Sequence, residues 1–269
     1  MSTGHVELAG LELTMGILTG LVLFVILETA VLYFNFGPWF KKPNLSPGPS
    51  PERYIGAAIH SFVAMVVTGG ILTLVFSNLD FENNPITNWY GFNNICILFD
   101  SAPSTYISPV FWFFVAYLIV RFAVEDTKRL VQMQHISSRL RSASYASNVF
   151  LVIVAAAFSL CLAVAPEDNM YLHTAPFIGL VVAFPLIFVM HCFQDPNRTN
   201  KYIVAAGLFM TVSIVKSCFL IIALIQFEGF RHVPVSIAQP VDVFWTLMAL
   251  SAPFLMPPPK IIPTEQYAN

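Results

Sequence analysis

The chain has 269 residues, 57% of them hydrophobic and only 10% charged, whereas a soluble domain carries about 25% charge. Its 13 basic and 15 acidic residues give a net charge of -2 and leave no basic surface for nucleic acid. It has no Gly-rich phosphate loop, no Cys-x-x-Cys and no His-x-x-x-His, so the common nucleotide, zinc and di-iron motifs are excluded and no metal or cofactor is expected.

A spanning helix needs roughly 20 apolar residues. Seven stretches meet or approach that length, at about 13–36, 54–78, 108–126, 145–165, 171–193, 202–227 and 240–256. The expected fold class is therefore all-α, a polytopic membrane bundle of seven transmembrane helices forming one domain over residues 1–269. No Lys or Arg precedes the first stretch, so it reads as a retained span rather than a cleaved signal. The seventh is short, contains Pro253 and stops at Pro257-Pro258-Pro259.

Orientation follows from Lys and Arg in the connections. One set holds Lys41, Lys42, Arg53, Lys128, Arg129, Arg139, Arg141, Arg198, Lys201 and Lys260, and the opposite set holds only Arg231. This bias predicts the N-terminus outside or lumenal and the C-terminus cytoplasmic. The endoplasmic reticulum or another endomembrane is the expected compartment in a eukaryotic cell. The outer connection 79–107 is too long for a turn. It reads either as a cap over the outer mouth or as a solvated loop with Trp89 and Tyr90 at the interface. The basic connection 127–144 has Leu130, Val131, Met133 and Ile136 at roughly helical spacing, which suits an extension of the third span, a helix on the cytoplasmic leaflet, or an ordinary positive loop. Cys96 and Cys161 fall on the outer side, where a disulfide between them is one option.

Polar residues within the spans are the candidate functional groups. At a rise of about 1.5 Å per residue, Lys216 lies near the bilayer centre, Glu28 and Arg121 about 5 and 6 Å toward the cytoplasm, and His60 and Asn148 about 9–10 Å on that side. Asp242 lies about 9 Å toward the outer side, where a hydrated carboxylate at a helix N-terminus is the plain reading. Glu28, Arg121 and Lys216 are expected to form one charge-balanced cluster, with Ser213 and Ser217 flanking the ammonium. A Glu28 that meets no cation is instead a latent Brønsted acid. His60 and His191 are a conceivable haem pair, but their depths differ by about 4 Å, and hydrogen-bonding histidines are the expected role. Trp112 and Trp245 are candidate cavity-lining aromatics, able to face cationic ligands or intermediates; most of the 25 Phe rings are expected to fill the bundle or face lipid.

Three functions fit these features. One is an enzyme that uses Glu28, with Asp242 as a second carboxylate, for acid-catalysed isomerisation or cyclisation of a lipophilic, isoprenoid-like substrate drawn from the membrane. Another is an ion or small-solute transporter, and the third is a non-catalytic subunit or assembly factor of a membrane complex. In size, seven spans, short loops and isolated intramembrane carboxylates the chain resembles the integral-membrane terpene cyclases of fungal biosynthetic pathways. That resemblance implies a terpene cyclase or isomerase activity without a metal. Glu28 follows Leu27, where those enzymes carry a Trp-Glu pair, and Glu28 and Asp242 are about 14 Å apart in depth. The expected partners are a lipophilic small molecule or membrane lipid and other membrane proteins. The third span lacks an Asp/Glu-Arg-Tyr signature and the seventh lacks Asn-Pro-x-x-Tyr and a lysine, which separates the chain from the large receptor family and from retinal proteins.

Overall fold

The computed structural model describes residues 3–42, 48–195, 199–225 and 233–255. Arg198, Arg231, Lys260 and the stop at Pro257-Pro258-Pro259 lie outside them. The described residues form eight α-helices and no strand: α1 (Thr3–Lys41), α2 (Pro51–Phe76), α3 (Pro85–Tyr90), α4 (Ser104–Gln132), α5 (Ser138–Ala163), α6 (Met170–Gln194), α7 (Asn200–Ile225) and α8 (Val235–Leu255). All except α3 are long and apolar enough to cross a membrane. Each predicted span corresponds to one of these seven. The ends differ most at α1, which starts ten residues before the predicted 13, and at α5, which starts seven residues before the predicted 145.

Consecutive long helices pack on one another from α2 through α4, α5, α6 and α7 to α8, and α8 returns to α2, closing a ring of six. α1 stands outside the ring against α2 and α4. Its lipid-side face exposes Leu18, Val22, Val25 and Ile26, while Glu28, Asn35 and Phe36 turn inward. A bilayer solvates apolar side chains as well as a core does, so burial here selects for polar groups and aromatic packing rather than for hydrophobicity.

The ring is filled by aromatic side chains. Trp112 on α4 lies 4.2 Å from Phe158 on α5, ring centre to ring centre, and donates its indole N–H to the Ala155 carbonyl at 3.0 Å. Phe158 in turn meets Phe177, and Phe177 meets Trp245 on α8. Trp245 donates to Ser213 Oγ on α7 at 2.8 Å, so both tryptophans bury their rings while satisfying their single donor.

The connection between α2 and α4 folds over one end of the ring, hereafter the α3 end. Asn84 caps α3 by accepting the Thr87 N–H at 2.9 Å, and Pro85 supplies a first helical residue that needs no N–H partner. Gly91 ends α3 in the left-handed region, φ 79°, which disfavours any residue with a Cβ. Ile86, Tyr90, Phe92, Ile97 and Phe99 are buried, and Tyr90 Oη bonds Thr174 Oγ1 of α6 at 2.7 Å. The turn Ile95–Leu98 approaches α2 at Gly69, where a Cβ would stand 2.7 Å from the Leu98 carbonyl oxygen. This segment is a cap rather than a solvated loop.

At the opposite, basic end the connection 127–144 is not a separate surface helix. Its first part is the end of α4 and its last part the start of α5, with a short break at 133–137 closed by a hydrogen bond from Arg141 Nη2 to the Met133 carbonyl, 2.6 Å.

Candidate functional site

Lys216, placed by its sequence at the centre of an otherwise uncharged span, is 2% exposed. Its ammonium lies 2.5 Å from Asp242 Oδ1, joining α7 to α8. The ring of Trp245, one turn beyond Asp242, passes 4.2 Å below Nζ, and Phe177 of α6 faces it at 4.9 Å. Ion pairing and two aromatic faces together replace water around the charge. Ser213 Oγ accepts the Trp245 indole N–H and Ser217 Oγ makes no hydrogen bond, so neither of the serines flanking Lys216 in sequence solvates the ammonium.

The expected Glu28–Arg121–Lys216 cluster does not form. α8 starts at Val235, so Asp242 stands two turns inside the helix instead of at its edge, within reach of the long Lys216 side chain. Asp242 is consequently the counter-ion of a buried lysine and not a hydrated carboxylate at a helix N-terminus. Arg121 faces outward, 40% exposed, and holds Glu125 at 3.2 Å while lying over the Tyr54 ring at 5.3 Å.

Beside the Lys216–Asp242 pair is a small cavity with about 10 Å³ open to the centre of a water molecule, lined by these two residues and by Tyr90, Asn94, Phe219 and Leu220. That is room for about one water. Three lining residues, Tyr90, Phe92 and Asn94, belong to the cap, so the pair lies directly beneath it. Burial drives the Tyr90 phenol well above its ordinary range and keeps it a neutral hydrogen-bonding group. Asp100, also in the cap, has its carboxyl pushed up to about 7 by burial, a rise opposed by His173.

A second buried cluster occupies the basic end. Arg129 in the last turn of α4 reaches Glu52 in the first turn of α2 with Nη1, and Asp126 with Nη2. The same Nη2 lies 3.2 Å from Gln194 Oε1 and 3.3 Å from His191 Nε2, both on α6. Asp126 also accepts from Asn148 Nδ2 of α5 at 2.7 Å, and Gln194 donates to Ser144 Oγ at 2.9 Å. Three helices therefore meet on one guanidinium, whose planar fork can serve several acceptors at once, and α5 joins them through Asp126 and Gln194. From the sequence, Asn148 is a site candidate here and His191 a hydrogen-bonding histidine. Arg129 read as a loop charge, although its spacing of three from Asp126 on a helix was a usable signal.

Glu28 forms a third, smaller feature between α1 and α2. Ser61 Oγ donates to Glu28 Oε1, and Oε2 is buried without a hydrogen bond. Two turns farther along α1, Asn35 Nδ2 lies 3.1 Å from Nδ1 of His60, the residue before Ser61. His60 and His191 thus serve different clusters on different partners.

Ring contacts run from the first cluster toward the second. Lys216 touches Trp245, Trp245 meets Phe209, and Phe209 meets Phe188, which lies one turn from His191 on α6. His191 itself meets Phe122. The ring interior thus carries charge near each end and aromatic packing between. No family model, curated protein or solved structure matches this chain.

Proposed function

We propose that the chain is a proton-linked ion or small-solute transporter, with the Lys216–Asp242 pair as its gated charge site and the Arg129 cluster as its second gate. The observation that carries this reading is the buried ion pair beside a water-sized cavity, separated by aromatic rings from another buried charge cluster. Buried charges in a bilayer are costly, and pairs that can be broken are how such groups move ions or protons. Protonating the Asp242 carboxylate, or placing a cation on it, removes the partner of Lys216 and frees α8 from α7. In the orientation set by the basic residues, the cap faces outward and the Arg129 cluster faces the cytoplasm.

The test is proton flux in liposomes holding a pH-sensitive dye, driven by a potassium diffusion potential. The wild-type chain is expected to carry protons, and the double variant Lys216→Met with Asp242→Asn, which strands no buried charge, to lose most of that flux while eluting as folded protein. Protein-free background rates from the wild type would overturn the reading.

A second reading rests on Glu28, which meets Ser61 and no cation and keeps one carboxyl oxygen without a hydrogen bond. This supports acid catalysis on a lipophilic, isoprenoid-like substrate entering between α1 and α2. In that case Glu28→Gln abolishes product formation in membranes that still accumulate the protein. Unchanged product would end the assignment.

A further inference from the structure

Three donor side chains that neither charge cluster uses converge where the cap meets α5 and α6. Cys96 lies in the 95–98 turn, Cys161 in the last turn of α5 and His173 in the first turn of α6. One ligand atom from each lies within 4.8 Å of the others. Cys161 and His173 are 2% and 1% exposed and Cys96 is 5% exposed, so the cluster is closed to solvent. His173 Nδ1 is 3.0 Å from the Val164 carbonyl, to which only a protonated Nδ1 can donate. In the neutral imidazole that bond leaves Nε2 as the lone-pair nitrogen. Nε2 makes no hydrogen bond and lies 3.8 Å from Asp100 Oδ1, and Asp100 Oδ2 is likewise buried without a hydrogen bond.

We propose that this cluster is a zinc site, ligated by Cys96 Sγ, Cys161 Sγ and His173 Nε2, with Asp100 as the fourth donor. Zinc takes thiolate, imidazole and carboxylate ligands at about 2.0–2.3 Å in a tetrahedron, which sets neighbouring donors about 3.3–3.8 Å apart. The Nε2–Oδ1 separation already fits that spacing. An imidazole whose second nitrogen donates to a backbone carbonyl has the usual outer-shell support of a metal-bound histidine. The mixed sulfur, nitrogen and oxygen set suits zinc better than Cu(I), which favours soft sulfur ligands. Binding replaces the two S–H bonds with two Zn–S bonds and releases two protons to water, with no change of oxidation state.

A Cys96–Cys161 disulfide is the rival use of the same thiols. It would satisfy both sulfurs but leave His173 Nε2 without a partner beside an apolar bridge, whereas the metal takes up both thiolates and that nitrogen. The site would tie the cap to α5 and α6 without touching the Lys216–Asp242 pair, so it stands apart from the transport reading.

The experiment uses the full chain purified in detergent without chelator or added metal. Elemental analysis is expected to find about one zinc per chain, falling to background in Cys96→Ser and in His173→Ala. Because either variant could misfold, the wild type is also stripped with a chelator and refilled with Co2+, which is expected to produce thiolate-to-cobalt charge-transfer absorption in the near ultraviolet. Alkylation without reductant should label Cys96 and Cys161 only after stripping. The proposal is overturned by a Cys96–Cys161 cross-link in unreduced peptides, by zinc that persists in the variants, or by a refilled wild type without the charge-transfer band.

Discussion

Lys216 and Asp242 form a buried ion pair, 2.5 Å from Nζ to Oδ1, across the interface of α7 and α8. A lone charge left by removing one partner costs far more than the pair contributes, because the survivor remains desolvated. Lys216→Met and Asp242→Leu are each expected to destabilise the folded protein by about 3–5 kcal/mol, and the double variant to recover most of that loss. Unfolding in detergent, arranged as a double-mutant cycle, measures the coupling directly. Additive single effects would mean that the pair does not hold the two helices together.

Asp126 is the most connected carboxylate of the basic end, bound by Arg129 and Asn148 and facing His191. Asp126→Ala leaves the Arg129 guanidinium with Glu52 as its one carboxylate partner and is expected to cost about 3–5 kcal/mol. Arg121→Ala, by contrast, removes a half-exposed pair one helical turn long and is expected to cost less than about 1 kcal/mol. Comparing the two in one thermal-unfolding series checks whether buried connection or mere charge decides the loss.

Glu28 has a hydroxyl partner and no cation, so replacing it with a neutral amide strands no opposite charge. Glu28→Gln is expected to change stability by less than about 1.5 kcal/mol. A loss comparable with that of Asp126→Ala would reveal a cationic partner for Glu28 and would weaken the acid reading.

Trp112 combines a packed ring with one indole bond to the Ala155 carbonyl. Trp112→Phe keeps most of the ring and is expected to cost about 0.6–1.7 kcal/mol for the lost hydrogen bond. Trp112→Ala opens the core and is expected to cost about 3–5 kcal/mol. Near-equal losses in the two variants would assign the residue's role to its N–H rather than to packing.

Orientation can be read with single cysteines at two exposed positions, Glu82 in the cap and Arg139 at the basic end. In sealed cells or vesicles an impermeant thiol reagent is expected to reach Glu82→Cys from outside and Arg139→Cys only after permeabilisation. The opposite pattern would invert the proposed topology and place the cap in the cytoplasm.

Composition and hydropathy alone determined the class, the number of long helices and where they lie, because spanning a bilayer imposes a length and an apolarity on each segment that can be read locally. They also identified Glu28, Lys216 and Asp242 as out of place, since a charge in such a run needs a reason. Which charge meets which was decided only by the tertiary structure. Depth estimates put Lys216 nearer Glu28 than Asp242, but depth omits rotation about each helix and adjacency within the ring, and α8 beside α7 brings Asp242 to the lysine. The same reason hid the Arg129 cluster and the arrival of His173 beside Cys96 and Cys161, whose common outer side was legible from topology. Their members come from segments far apart in the chain, and no local pattern records that α6 passes beside both the cap and the end of α4.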